Sequence, residues 1–150
     1  MKHPQTLAGQ LAGLFPDKKL ASIKSYACCA FVLMWCLGVE PDDDVEAVMT
    51  AARMMNDGCI DSECTVYWIP SVRFLTGRDI AGVKKQRIQS IRKIKGRTPV
   101  FYKLKPGDSS GHWVGVEDGR IAFNPLASSV CVDKGRPYEM RVLEWPSSHT

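Results

Sequence analysis

The sequence contains no Cys-x-x-Cys pair, and two of its three histidines, His3 and His149, stand at the chain ends. A zinc site needs clustered thiolates and imidazoles, so a metal is not expected. No apolar run approaches a membrane span, which takes about 20 residues. The longest, residues 27–39, falls well short. The opening Met1-Lys2-His3-Pro4-Gln5 is polar, and Asp17-Lys18-Lys19 follows soon after. That stretch does not read as a signal-peptide pattern, and a cytoplasmic protein is expected. In a reducing compartment the six cysteines (28, 29, 36, 59, 64 and 131) stay as thiols. There is no internal repeat, no low-complexity tract, and no cofactor motif, so no cofactor is expected.

What is present is enough for one domain over residues 1–150. The net charge of +4 is unevenly spread. Residues 40–64 carry eight acidic side chains and one basic, while residues 70–106 carry eleven basic and one acidic. Solvated faces are the simpler reading, and an anionic partner is the alternative.

Helical signals come first. Leu7, Leu11 and Leu14 share a face within residues 4–15. Residues 28–37 are apolar all round, which predicts a helix buried on nearly all sides and ended by Gly38. Acidic residues 42–44 start another helix, with Val45, Val48, Met49, Ala52 and Met55 on its apolar face. Thr65 to Ile69 reads as a short strand and Pro70 to Leu75 as a helical turn. Ile88, Ile91 and Ile94 at spacing three predict a helix within residues 84–95. Residues 99–104, 112–117, 120–124 and 138–145 read as strands, and Asp118-Gly119 marks a hairpin. Helices followed by an antiparallel sheet define an α+β fold.

Chemistry concentrates in three places. Ala27-Cys28-Cys29-Ala30-Phe31 heads the buried helix. Gly111-His112-Trp113-Val114-Gly115-Val116 holds the one interior histidine. Phe123-Asn124-Pro125 follows. Thiol, imidazole and amide are the groups that attack on an acyl carbon requires: nucleophile, base, and a group that holds the base.

In order and element type these motifs resemble the papain-like cysteine peptidase fold over residues 22–126. The chain looks like the compact bacterial and phage-type branch, similar to the bacteriocin-processing peptidases. The resemblance implies N-terminal helices, with a buried central helix packed on a C-terminal antiparallel sheet. It further implies a Cys28–His112–Asn124 triad acting on a peptide, amide or isopeptide bond through an acyl-enzyme. Cys28 holds the motif position, with Phe31, Val32 and Trp35 below it at helical spacing; Cys29 becomes a packing residue. A helix N-terminus lowers a thiol's pKa through its dipole and free N–H groups, and the same groups can hold an oxyanion.

Two features depart from the pattern. A plain two-residue turn at Asp118-Gly119 places His112 and Asn124 on opposite sides of the sheet, unless a bulge intervenes or Asn124 lies past the strand end. Asp108 and Asp133 are the substitutes. The glutamine that papain-like enzymes carry shortly before the cysteine is missing, leaving Ser22, Lys24 or Ser25 as donors. The expected partner is a peptide or protein substrate, with no membrane. The alternative is an inactive binding protein on the same scaffold, using the basic region for nucleic acid or an acidic partner. Thin aromatic interleaving there (Phe74, Phe101, Tyr102) disfavours nucleic acid.

Overall fold

The computed structural model describes residues 1–147, so His149 lies outside the described residues. The helices come first: α1 (Pro4–Leu14), α2 (Lys18–Tyr26), α3 (Cys28–Cys36), α4 (Asp44–Asn56) and α5 (Trp68–Thr76). Then follow β1 (Gly82–Arg87), β2 (Arg97–Lys103), β3 (His112–Glu117), β4 (Arg120–Phe123), the one-turn α6 (Val130–Asp133) and β5 (Arg136–Glu144). The strands form one antiparallel sheet in the order β1-β5-β2-β3-β4. The class is α+β, as expected.

α3 organises the molecule. Every residue from Cys28 to Trp35 is buried, because apolar side chains on all sides leave no face for water. Gly38, at φ +69°, ends it, and the Val39 N–H reaches back to the Met34 carbonyl at 3.0 Å. α1, α2 and α4 surround α3 in the main core. α2 was not anticipated. Its signal is Asp17, which accepts from the N–H groups of Lys19 and Leu20 and so caps the helix. α2 meets α3 at 69°. No single described helix is long and apolar enough to cross a membrane.

Three expectations are corrected. The buried face of α4 is Ala47, Val48, Ala51 and Met54, while Val45 and Met49 are exposed. The face that meets α1 and α2 is thus built on two alanines, with Val48 and Met54. The strand expected at residues 65–69 is a single bridge, Ile60 to Val66, since α5 already begins at Trp68. The helix expected in residues 84–95 is absent: β1 occupies 82–87 and pairs along β5, and turns follow. Ile88, Ile91 and Ile94 instead fold over the far face of the sheet. There they pack with Val100, Tyr102, Val114 and Val116. A spacing of three serves any segment that must face one side, and pairing with β5 satisfies the β1 backbone better than a lone turn would.

The near face of the sheet carries α3. Gly115 on β3 makes this contact possible, because a Cβ there would collide with the Trp35 ring. That ring also stacks on Phe123 at 5.9 Å and lies under the Arg97 guanidinium at 4.4 Å.

Candidate active site

α3 begins at Ala27 without any side-chain cap, so its first N–H groups are open. The Cys28 thiol sits among three backbone N–H groups, those of Cys28 itself, Cys29 and Trp113. It therefore lies where the helix start meets the start of β3. Burial is the largest influence on it and pushes the thiol up; the three N–H groups pull it down without winning. This corrects the expectation of a lowered thiol. The dipole and open N–H groups are present, but at 8% exposure desolvation of a thiolate outweighs them.

His112 opens β3 and is 4% exposed. Its Nε2 lies 2.6 Å from Asn124 Oδ1. The Leu126 N–H donates to the same Oδ1 at 3.1 Å. An N–H can only donate, so that amide atom is the oxygen, and His112 Nε2 must carry the proton. Nδ1 is then the basic nitrogen of the neutral ring. Burial pushes His112 down, and the Asn124 bond raises it less.

Two devices bring this pair together across the hairpin. Asp118 and Gly119 take φ +50° and +84°, forming the expected two-residue turn. Glu117 faces Arg120 and Val116 faces Ile121, but Gly115 then faces Phe123. Ala122 is thus an extra residue, and Asn124 lies just past the strand end. The bulge carries Asn124 to the side of His112. Gly111, just before the histidine, has no room for a Cβ against the Tyr102 carbonyl and the Phe101 ring.

The segment after Asn124 is clamped by the start of α1. His3 Nδ1 meets the Asn124 carbonyl at 3.1 Å, Gln5 N–H donates to the Pro125 carbonyl at 3.0 Å, and Ala127 N–H donates to Thr6 Oγ1 at 2.9 Å. Sequence reasoning discounted His3 as a chain-end residue. No local signal marks it, because its partner is distant in sequence.

A cleft of about 310 Å³ opens at the thiol. Cys28, Cys29, Cys64 and Gly111 line it, with Trp68, Phe101 and Trp113 as aromatic walls. Trp113 packs at 6.1 Å on Trp68 and 5.1 Å on Phe101. The Arg141 guanidinium stands 5.1 Å over Trp113. Among the described residues, the Cys28 thiol and the His112 ring share no hydrogen bond. Both groups are neutral at rest, one pushed up and one down.

The other cysteines are poorer nucleophiles. Burial pushes Cys29 well above the ordinary range, and it lacks the ring of N–H groups around Cys28. Cys64 is pushed up to about 12, chiefly by burial. All six cysteines are unbridged. Of the three candidate donors, Ser25 alone lines the cleft. The Ser22 carbonyl accepts from the Cys64 thiol, and the Lys24 stem lies along Gly9. Asp108 accepts from the Lys105 N–H and Asp133 lies on α6, while Asn124 holds the histidine. Among the described residues no group of three His, Cys, Asp or Glu side chains could hold a metal ion. In comparisons with known proteins, the chain matches no family model, no curated protein and no solved structure.

Proposed function

We propose that the chain is a papain-like thiol hydrolase that cleaves a peptide, amide or isopeptide bond. The observation that carries this reading is the buried 2.6 Å bond from His112 Nε2 to Asn124 Oδ1, one residue along β3 from the Trp113 N–H beside the Cys28 thiol. It fixes the tautomer and leaves Nδ1 as the base.

In the proposed reaction His112 Nδ1 takes the Cys28 proton as sulfur attacks the carbonyl carbon. The N–H groups of Cys28 and Cys29 hold the oxyanion, with the Ser25 hydroxyl as a further donor. The imidazolium gives its proton to the departing amine, leaving a thioester. Water then loses a proton to His112 and attacks the thioester. The acid leaves and the thiol is restored. If an amine intercepts the thioester, the same steps give acyl transfer. Because thiol and imidazole rest neutral, proton transfer accompanies substrate attack rather than preceding it.

The test is trapping with peptide vinyl sulfones, with mass-spectrometric mapping of the labelled cysteine. Labelling confined to Cys28, and slowed by His112→Ala, supports the reading. Labelling spread over several cysteines with no effect of His112→Ala refutes it. A second reading, an inactive binding protein on the same scaffold, draws on the missing thiol–imidazole hydrogen bond. It predicts that outcome.

A further inference from the structure

A second pocket, of about 540 Å³, lies on the sheet near the cleft, and all of its charged lining residues are basic. Arg87, Lys103, Lys134 and Arg136 line it, together with Tyr138, and no carboxylate does. The Tyr138 ring holds two of these cations. The Arg87 guanidinium carbon and the Lys103 ammonium each lie 3.8 Å from that ring's centroid. The two cations are therefore within twice that distance of one another.

This arrangement is built by a bulge. Phe101 faces Glu139 across the β2–β5 ladder, but Tyr102 faces Pro137. Tyr138 is the extra residue, and the bulge turns its ring toward the side chains of Lys103 and Arg87. A regular ladder would point it the other way. Two of the three nearby acids are already engaged. Glu139 pairs with Lys85 at 3.5 Å and Arg141 at 2.9 Å, and Asp108 caps the Lys105 N–H. Asp133 stands on α6 next to Lys134, outside the pocket lining. Among the described residues none of the four lining cations forms a salt bridge. Four unneutralised cations around one cavity make a site for an anion.

The pocket and the cleft are neighbours along β2. Phe101 is a cleft wall and Lys103 a pocket wall, two residues apart on β2, roughly 7 Å along an extended strand. The Lys103 ammonium also lies 6.0 Å from the Phe101 ring. A substrate chain that leaves the cleft past Phe101 along β2 meets Lys103 next. Stacking of a nucleobase is disfavoured, since Tyr138 is the pocket's one aromatic side chain and cations already cover it.

We propose that this pocket docks an acidic segment of a polypeptide substrate, a few residues from the bond held at Cys28. The proposal rests on the thiol-hydrolase reading and adds a substrate class to it.

Two measurements test it. The first is anisotropy titration of fluorescein-labelled oligoglutamate, at low and high salt. The proteins are the native chain, Cys28→Ala, Arg87→Glu/Lys103→Glu and Lys134→Glu/Arg136→Glu. Lys134 and Arg136 are both exposed and neither stacks on the Tyr138 ring, so that pair stands if the first misfolds. Each charge-reversed pair should weaken binding by about tenfold or more, with Cys28→Ala unchanged. Unaltered binding in the folded variants, or none to the native chain, overturns the proposal. Tighter binding of labelled oligothymidylate, lost in the same variants, overturns it in favour of nucleic acid.

The second measurement compares trapping of Cys28 by vinyl sulfones with a Glu-rich or a Gln-rich flank. The acidic probe should label about tenfold faster, and the charge-reversed variants should remove the difference. Equal rates on the native chain overturn the link to the cleft. If neither probe labels Cys28, the hydrolase reading fails and takes that link with it. The anisotropy result then decides separately whether the pocket takes acidic peptide.

Discussion

Gly115→Ala is the sharpest perturbation of this structure. Gly115 has no positive φ, so its backbone suits alanine. On chain entropy alone the change should stabilise by about 0.4–1 kcal/mol. The added Cβ, however, would collide with the Trp35 ring. That ring has little room to yield. Phe123 stacks on it, Arg97 covers it, and the Arg97 guanidinium also donates to the Trp35 carbonyl at 2.7 Å. Overpacking of this kind costs about 1–3 kcal/mol. The net effect should be destabilising by about 1–2 kcal/mol, lowering Tm by roughly 2–8 °C in a domain of this size. Thermal unfolding by circular dichroism measures it. The same displacement moves β3 away from α3, and hence His112 and Trp113 away from Cys28, so trapping of Cys28 should slow as well. Trp35→Leu should recover part of the lost stability in the double variant, because it removes the collision. An unchanged or raised Tm in Gly115→Ala would refute the claim that this glycine sets the helix–sheet contact.

Four further outcomes follow from the site. Iodoacetamide labelling of Cys28 in the folded protein should reach its midpoint at higher pH than in the urea-unfolded chain, since burial pushes the thiol up; a lower midpoint would contradict the assigned environment. His112 is pushed down, so its stabilisation is present above its ordinary range and is lost as pH falls through that range toward the lowered value. His112→Gln should therefore flatten the loss of stability between neutral and mildly acid pH, measured by urea titration at several pH values; an unchanged slope counts against a buried neutral ring. Asn124→Ala removes the acceptor shared by His112 and the Leu126 N–H and should cost about 1–3 kcal/mol. Asn124→Asp should keep both contacts and raise the His112 pKa, visible by NMR titration of the ring; a shift downward would exclude direct contact.

Much of the site was legible residue by residue. Cys28, His112 and Asn124 stood out because each is chemically rare in its setting: a thiol at the head of an apolar helix, one interior imidazole, and an amide before proline. The pairing of His112 with Asn124 was expected from the resemblance; hairpin geometry alone predicts opposite sides, and leaves open whether a bulge or a position past the strand end brings them together. Ala122 decides it, and nothing about an alanine announces a bulge. The thiol's direction was misjudged for a related reason. Dipole and N–H groups are local and readable, while desolvation depends on how deeply β3 and the cleft walls cover the sulfur.

The sequence by itself determined the features that rest on local chemistry. An all-round apolar stretch must be buried, so residues 28–36 become the central helix. Asp118-Gly119 accepts left-handed backbone, so the hairpin turns there. The switch from helical to alternating pattern sets the α+β class. Only the tertiary structure decided what depends on partners far along the chain. It rotated α4 onto its alanines, laid Ile88, Ile91 and Ile94 over the sheet, and tied His3 to the Asn124 carbonyl. It also slipped the β2–β5 register to set Tyr138 between Arg87 and Lys103. Local propensity differs by tenths of a kcal/mol per residue, whereas burial and register settle several kcal/mol at once, so the long-range terms prevail wherever the two disagree.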